Sequence, residues 1–213
     1  MVGPAWTSSG KTQTFYLQSD VQNTYVANNK INTIGTGELF LGIQRPLHEK
    51  FTGHLGLALA GSGMATISGS IWQDADPNFN NFNYTYNVNQ FRVALKGKLI
   101  ADNKLSKLKL QPYISGSVGV GFNRSYNYKA IPTLSEAVAA SGFIANTTSA
   151  FTYTIGVGIQ KSFNTHWQAG VGYEFADWGQ SSLDAALGQA LNSGLSLNHL
   201  YTNQLQFSLN YVS

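Results

Sequence analysis

Charge is what this sequence has least of. Only 11% of its 213 residues are Asp, Glu, Lys or Arg, against about 25% in an ordinary soluble protein, and a water-facing surface normally needs more. Cysteine is absent, which excludes disulfide scaffolds and thiolate metal centres. No run approaches the roughly 20 consecutive apolar residues of a membrane-spanning helix. A helical membrane protein is therefore excluded, and a strand-built one is not. No Pro- or Ser-rich linker or shift of composition divides the chain, so residues 1–213 read as a single domain. The opening MVGPAWTSSG lacks a basic segment followed by an apolar core. No secretory signal is read there, and for an exported protein the chain corresponds to a mature form.

What the chain has instead is Gly, Tyr, Phe, Asn, Thr and Ser arranged with a period of two. In FTYTIGVGIQ, Phe151, Tyr153, Ile155, Val157 and Ile159 take one parity, and Thr152, Thr154, Gly156, Gly158 and Gln160 the other. LKLQPYISGSVGVGF repeats the pattern through Leu108, Leu110, Ile114, Val118, Val120 and Phe122. Eight segments carry such a face: 12–20, 37–45, 51–62, 86–99, 108–122, 150–161, 167–177 and 198–212. The connections between them alternate strictly between short and long. The expected fold is all-β: an eight-stranded antiparallel up-and-down transmembrane barrel with short periplasmic turns and long outer loops.

The composition of the second face decides which solvent the first one meets. Exposed strand faces of soluble proteins carry Lys, Glu, Arg and Asp, whereas this one is Gly, Ser, Thr, Gln and Asn. Small residues of that kind suit the crowded interior of an eight-stranded barrel, so the apolar face is expected to meet lipid. Aromatic residues gather at both strand ends, as in interfacial girdles. Phe51, Phe163, Trp167 and Tyr211 lie near the short turns, and Phe122, Phe151, Tyr153, Tyr173, Phe175 and Trp178 near the long loops. The short-turn side is assigned Arg45, Lys50, Lys96, Lys98, Lys104, Lys107, Lys109 and Lys161 against Glu49 and Asp102. This basic rim is expected to contact anionic headgroups, because KLSKLKL lacks the basic and aromatic interleaving of a nucleic-acid site.

On GELFLGIQ, QPYISGSVGVGF, YTIGVGIQ, GYEFADWG and the terminal LYTNQLQFSLNYVS, the chain resembles the eight-stranded outer-membrane β-barrel proteins, the broad group of the OmpA transmembrane domain, OmpX, OmpW and the opacity-type porin-like proteins. The resemblance covers nearly the whole chain. It implies the outer membrane of a Gram-negative bacterium, lipids and lipopolysaccharide as surroundings, assembly by the barrel-assembly machinery, and a monomer with a possible extracellular partner at its loops. Members of this group usually end in an aromatic residue. This chain places Val212 and Ser213 after Tyr211.

Three charged residues, Glu38, Arg92 and Glu174, fall on the interior parity. Each lies roughly seven or eight residues up its strand from a short turn, and at about 3.3 Å per residue they share a depth. Isolated charges in a narrow interior are costly. A mutually paired cluster is expected, with His54, Lys96, Tyr113 and Gln160 as polar neighbours. The alternative places Glu38 or Glu174 in water at the loop end.

Other motifs point to less. DADPNFN sets Asp74, Asp76 and Asn78 at calcium-loop spacing but lacks the sixth-position Gly, with Thr85 where the bidentate Glu belongs. It reads as a polar loop, and no metal or cofactor is expected. Some relatives implied by the resemblance act on lipid A, which needs a nucleophile beside a base. Asp177 and His199 fall on adjacent strands, but no His-x-Ser pair occurs, and His48 and His166 belong to short turns. Two loops carry short helical patterns. One has Thr133 and Glu136 at capping-box spacing after Pro132, and the other has Leu183, Leu187 and Leu191 starting near Ser182 and stopping at Asn192 and Gly194. The expected function is a non-enzymatic, lumen-filled barrel with a structural or surface-interaction role. A narrow porin is the alternative.

Overall fold

Period-two segments become strands because alternation puts each residue set on one face of a pleated chain. The computed structural model describes residues 1–8, 10–101, 110–135, 142–189, 191 and 193–212. In chain order its strands are β1 (Val2–Ser8), β2 (Gln13–Gln18), β3 (Val21–Ala27), β4 (Ile31–His48), β5 (Phe51–Gln73), β6 (Asn80–Ala101) and β7 (Gln111–Pro132). They are followed by β8 (Phe143–Ile144), β9 (Asn146–Ser162), β10 (Trp167–Asp177), β11 (Ser181–Ser182), β12 (Asp184–Ala186), β13 (Ser196–Leu197) and β14 (Tyr201–Tyr211). Among the described residues the only helical element is a 3-10 turn at Pro77–Phe79.

Eight of these strands, β1, β4, β5, β6, β7, β9, β10 and β14, pair antiparallel in that order. The β1–β14 ladder then closes them into a barrel-like ring. Registers keep like faces together all the way round. Leu41 pairs with Leu57, Leu57 with Leu95, Leu95 with Val118, Val118 with Tyr153, Tyr173 with Leu205 and Val171 with Phe207. These side chains are partly or fully exposed on the outside of the ring, while Gly, Ala, Ser, Thr, Gln and the buried charges occupy its inside.

Residues 12–20 were expected to be the first ring strand, and the structure corrects this. That place belongs to β1, whose ladder runs from Val2↔Gly37 to Ser8↔Ile31 on one side and reaches Val2↔Phe207 on the other. Gly3 and Pro4 dilute the apolar alternation of β1, and neighbours on both edges supply what local pattern does not. Phe15 of β2 belongs instead to a hairpin with β3 that pairs with the far end of β5.

Strands β4, β5, β6, β7 and β9 also run beyond their expected ends. The segment 63–85, read as a long loop, is mostly a hairpin of β5 and β6 closed by a turn at 74–79. A register shift between Ser62 and Ala65 explains why the pattern concealed it. One extra residue on β5 flips every following side chain to the other face. Odd positions such as Leu57 and Leu59 point outward below the shift, and Ala65, Ile67 and Ile71 are buried above it.

Above the shift the molecule has a conventional apolar core. Tyr25, Ile67, Ile71, Phe82, Tyr84, Tyr86, Val88 and Phe143 pack there with Leu183, Leu195, Leu197 and Leu200. Edge-to-face contacts such as Tyr25–Tyr84 at 5.7 Å and Tyr128–Phe143 at 5.0 Å tie the strands to the loops. The 182–194 pattern forms no helix among its described residues. Asp184 and Ala186 of β12 pair with Ile144 and Phe143 of β8, Leu183 is buried, and Leu187 and Leu191 are exposed. Thr133 N donates to Asn81 O and its hydroxyl to Asn80 O, and residues 136–141 of that pattern lie outside the described residues. Glu136, Asn192 and Ser213 lie outside the described residues.

Burial, and secondarily the Tyr25 hydroxyl, push the Tyr84 phenol up to about 12. A folded-state pKa above the unfolded value of about 10 gives stability that is complete below pH ~10 and lost as pH rises toward the folded value. Alkaline titration of tyrosinate absorbance is therefore expected to show a delayed step that Tyr84→Phe removes. Loosening of this core is expected above pH ~10, read by near-ultraviolet circular dichroism. A Tyr84→Phe titration indistinguishable from that of the parent protein would refute this.

Candidate functional site

Small residues on the inner face make room for large charged ones. Glu38 on β4 pairs with Ala60 on β5, and Ala60 pairs with Arg92 on β6, so acid and base share a lateral row with only an alanine between them. Glu174 on β10 is flanked by Gly156 on β9 and Gln204 on β14. Lys96 lies further down β6 on the same parity, separated from Arg92 by the buried Ala94.

The four side chains form an alternating square. Arg92 Nη2 donates to Glu38 Oε2 and Glu174 Oε1, both at 3.1 Å, and Lys96 Nζ donates to Glu38 Oε1 at 2.6 Å and Glu174 Oε2 at 2.8 Å. Each side chain is 1–2% exposed. Two carboxylates and two cations cancel in charge, and the multiple contacts offset the cost of taking four ions out of water. Sequence reasoning named Glu38, Arg92 and Glu174 and treated Lys96 as a neighbour. Lys96 is the fourth corner, and its even parity on β6 was the signal.

Trp178 covers the square. Its indole lies 4.6 Å over the Arg92 guanidinium, and its Nε1 donates to Thr202 Oγ1 at 2.9 Å. The chain turns back directly after it at Gly179, whose φ of +78° suits glycine. Asn123 Nδ2 clamps the turn by donating to the carbonyls of Trp178 and Gln180, each at 2.7 Å. Trp178 was assigned to the outer aromatic girdle, and the structure corrects that. It is 1% exposed, because it shares the even, inward parity of Glu174 and Ala176.

Below the square, Lys98 donates to Gln160 Oε1 and sits 3.8 Å above the Tyr113 ring, and Gln160 Nε2 donates to Gln168 Oε1 at 3.0 Å. The Tyr113 ring fits because Gly158 and Gly172 face it, where a Cβ would collide with its phenol end. His54 lies in this layer between its ladder partners Gln44 and Lys98. Lys96 and Lys98 are therefore not on the basic rim to which they were assigned. Of that rim, Arg45, Lys50, Lys161 and Glu49 are exposed at the short-turn end. Asp102, Lys104, Lys107 and Lys109 lie outside the described residues. The enclosed space beside the square, between Met1, Glu38, Arg92 and Trp178, measures about 10 Å³, room for one water at most.

The remaining candidates fall elsewhere. Asp177 Oδ2 meets His199 Nδ1 at 2.8 Å, Asp177 Oδ1 accepts from Gly179 N, and the His199 ring stacks on Tyr201 at 5.3 Å. Among the described residues no hydroxyl is hydrogen-bonded to His199. In DADPNFN, Asp76 Oδ1 accepts from Asn78 N and Nδ2 and caps the 3-10 turn, and Asp74 and Ala75 take positive φ. His48 lies at the end of β4 beside the short turn, and His166 stacks on Tyr211 at 5.7 Å.

Chemically, the square binds itself. Both carboxylates are held by cations, and the space between Glu38, Arg92 and Trp178 measures only about 10 Å³. Compared with known proteins, the chain matches no protein-family model and no curated protein.

Proposed function

We propose that the protein is an integral outer-membrane β-barrel whose lumen is blocked by the Glu38–Arg92–Glu174–Lys96 square, with a structural or surface-interaction role exercised at the long-loop end. One observation carries this reading. The outside of the ring is apolar and exposed all round, with Leu41 84%, Leu39 75%, Phe151 67% and Leu209 65% accessible, while the inside holds the charges. That is the reverse of a soluble protein and the arrangement lipid demands, since closure satisfies the backbone and the outward residues meet acyl chains. From Phe151 to Ile159 the belt on β9 spans roughly eight residue steps, about 20 Å at the usual rise and tilt. Phe51, Phe163, Trp167 and Tyr211 lie at one edge, and Phe91, Phe122, Phe151 and Tyr173 at the other. Exposed Arg45, Lys50 and Lys161 suit headgroup contact at the short-turn end.

In this reading the square is a plug and no solute passes. The Asp177–His199 pair anchors the turn after β10 and carries no chemistry. Heat-modifiable electrophoretic migration together with detergent dependence tests the membrane assignment, and a monodisperse protein without detergent would end it. Planar-bilayer recording tests the plug. Silence is expected, and a stable open conductance of the parent monomer would favour the narrow porin instead.

A further inference from the structure

Glycine weakens a strand and offers its surroundings no side chain, so within a sheet it often marks a place where something approaches closely. On the inner face that something is the protein itself. A Cβ at Gly119 would collide with Ala94, and one at Gly158 with the Tyr113 ring. Gly97 and Gly116 differ. They take the outward parity of Leu95 and Ile114, and apart from chain neighbours the nearest atom a Cβ would meet is His54 O at 4.0 Å for the first and Thr154 O at 3.4 Å for the second.

The two glycines are ladder partners. Their row runs Ile43, Leu55, Gly97, Gly116, Ile155 across β4, β5, β6, β7 and β9. Two side chains missing side by side open the outer surface into a trough of about 740 Å³, roughly two strand spacings or 9–10 Å across. Leu55 stands on one side and Ile155 and Val157 on the other, and Leu99 and Ile114 form the next row toward the short turns. Arg45 lines the trough as well. Its ladder partner is Gly53, so β5 puts no side chain between Arg45 and the trough. Among the described residues Arg45 forms no ion pair. In the turn beyond it, exposed Glu49 and Lys50 cancel in charge.

We propose that the trough is a binding site for one anionic phospholipid, with an acyl chain lying over Gly97 and Gly116 and the phosphate oxygens accepting from the Arg45 guanidinium. Charge complementarity selects this occupant. An apolar chain ending in a phosphate fills the trough and pairs Arg45 in the bidentate geometry that guanidinium favours, whereas a purely apolar partner would leave that cation unpaired. The proposal rests on the membrane reading and adds to it a fixed position and a headgroup preference.

The test titrates the full chain in detergent micelles with phosphatidylglycerol or phosphatidylcholine and counts retained lipid by native mass spectrometry. One phosphatidylglycerol is expected to be held about tenfold more tightly than phosphatidylcholine, the scale of one charge-assisted contact. Arg45→Gln is expected to abolish the preference, and Gly116→Leu, which fills the trough, to abolish retention of both lipids. Phosphatidylglycerol carrying a diazirine on its acyl chain is expected to label β6 and β7 near Gly97 and Gly116. Labelling spread evenly round the belt, or a preference that Arg45→Gln leaves intact, overturns the proposal. So does a dimer that Gly116→Leu dissociates, which would give the trough to a second copy of the chain. If Gly116→Leu does not fold, Arg45→Gln and the labelling of the parent still decide. A protein that needs detergent but labels evenly fails the trough alone, and one that is monodisperse without detergent fails the membrane reading.

Discussion

Arg92→Met is expected to destabilise the ring by about 3–5 kcal/mol. The substitution leaves Glu38 and Glu174 sharing the single cation of Lys96 in a site where every side chain is 1–2% exposed. Surplus negative charge there has no water to dissipate it, and the Trp178 indole loses the guanidinium beneath it. Replacing the whole square, with Glu38→Leu, Arg92→Met, Lys96→Met and Glu174→Leu together, is expected to restore most of the loss. Removing all four ions also removes their desolvation cost, and such swaps range from neutral to about 1–4 kcal/mol stabilising. Urea titration in micelles, followed by tryptophan fluorescence, measures both variants. An Arg92→Met cost below about 1 kcal/mol, the scale of an exposed ion pair, would mean that the square does not hold the ring.

Leu57→Arg is the second large effect, and it separates lipid from water as the outer solvent. Leu57 is 59% exposed and lies between Leu41 and Leu95 in the middle of the belt. On a soluble surface the change falls within about 0.5 kcal/mol of neutral. At the midplane of a bilayer it is expected to cost about 2–4 kcal/mol, and the same substitution at Phe51, near the belt's edge, about 0–1 kcal/mol. Reversible folding into lipid vesicles, with both variants compared against the parent, reads the depth dependence. Equal costs at the two positions would remove the bilayer from the explanation.

Much of the molecule was visible in residue parity, and Lys96, Lys98 and Trp178 were misplaced where parity was set aside. β10 matches the expected 167–177 to the residue, because its apolar and small positions alternate without a break. Glu38, Arg92 and Glu174 were picked out as inward charges by the same rule. Lys96, Lys98 and Trp178 also lie on inward parity, yet they were placed by distance from a turn and by residue type, and all three are buried inside the ring. The far half of β5 escaped for another reason. The register shift after Ser62 reverses which parity is inward, and no local pattern announces an extra residue in a strand.

Strands, their faces and the inward charges followed from composition and alternation alone, since a pleated chain sorts side chains by parity whatever its partners are. Three things required the tertiary structure. It showed that β1 rather than residues 12–20 completes the ring, that Asp184 and Ala186 of the 182–194 segment pair with β8 as strand, and that Lys96 closes the square. Each depends on which distant segment supplies the missing hydrogen bonds or the missing charge. That choice is made by residues far apart in the chain, and local periodicity carries no record of it.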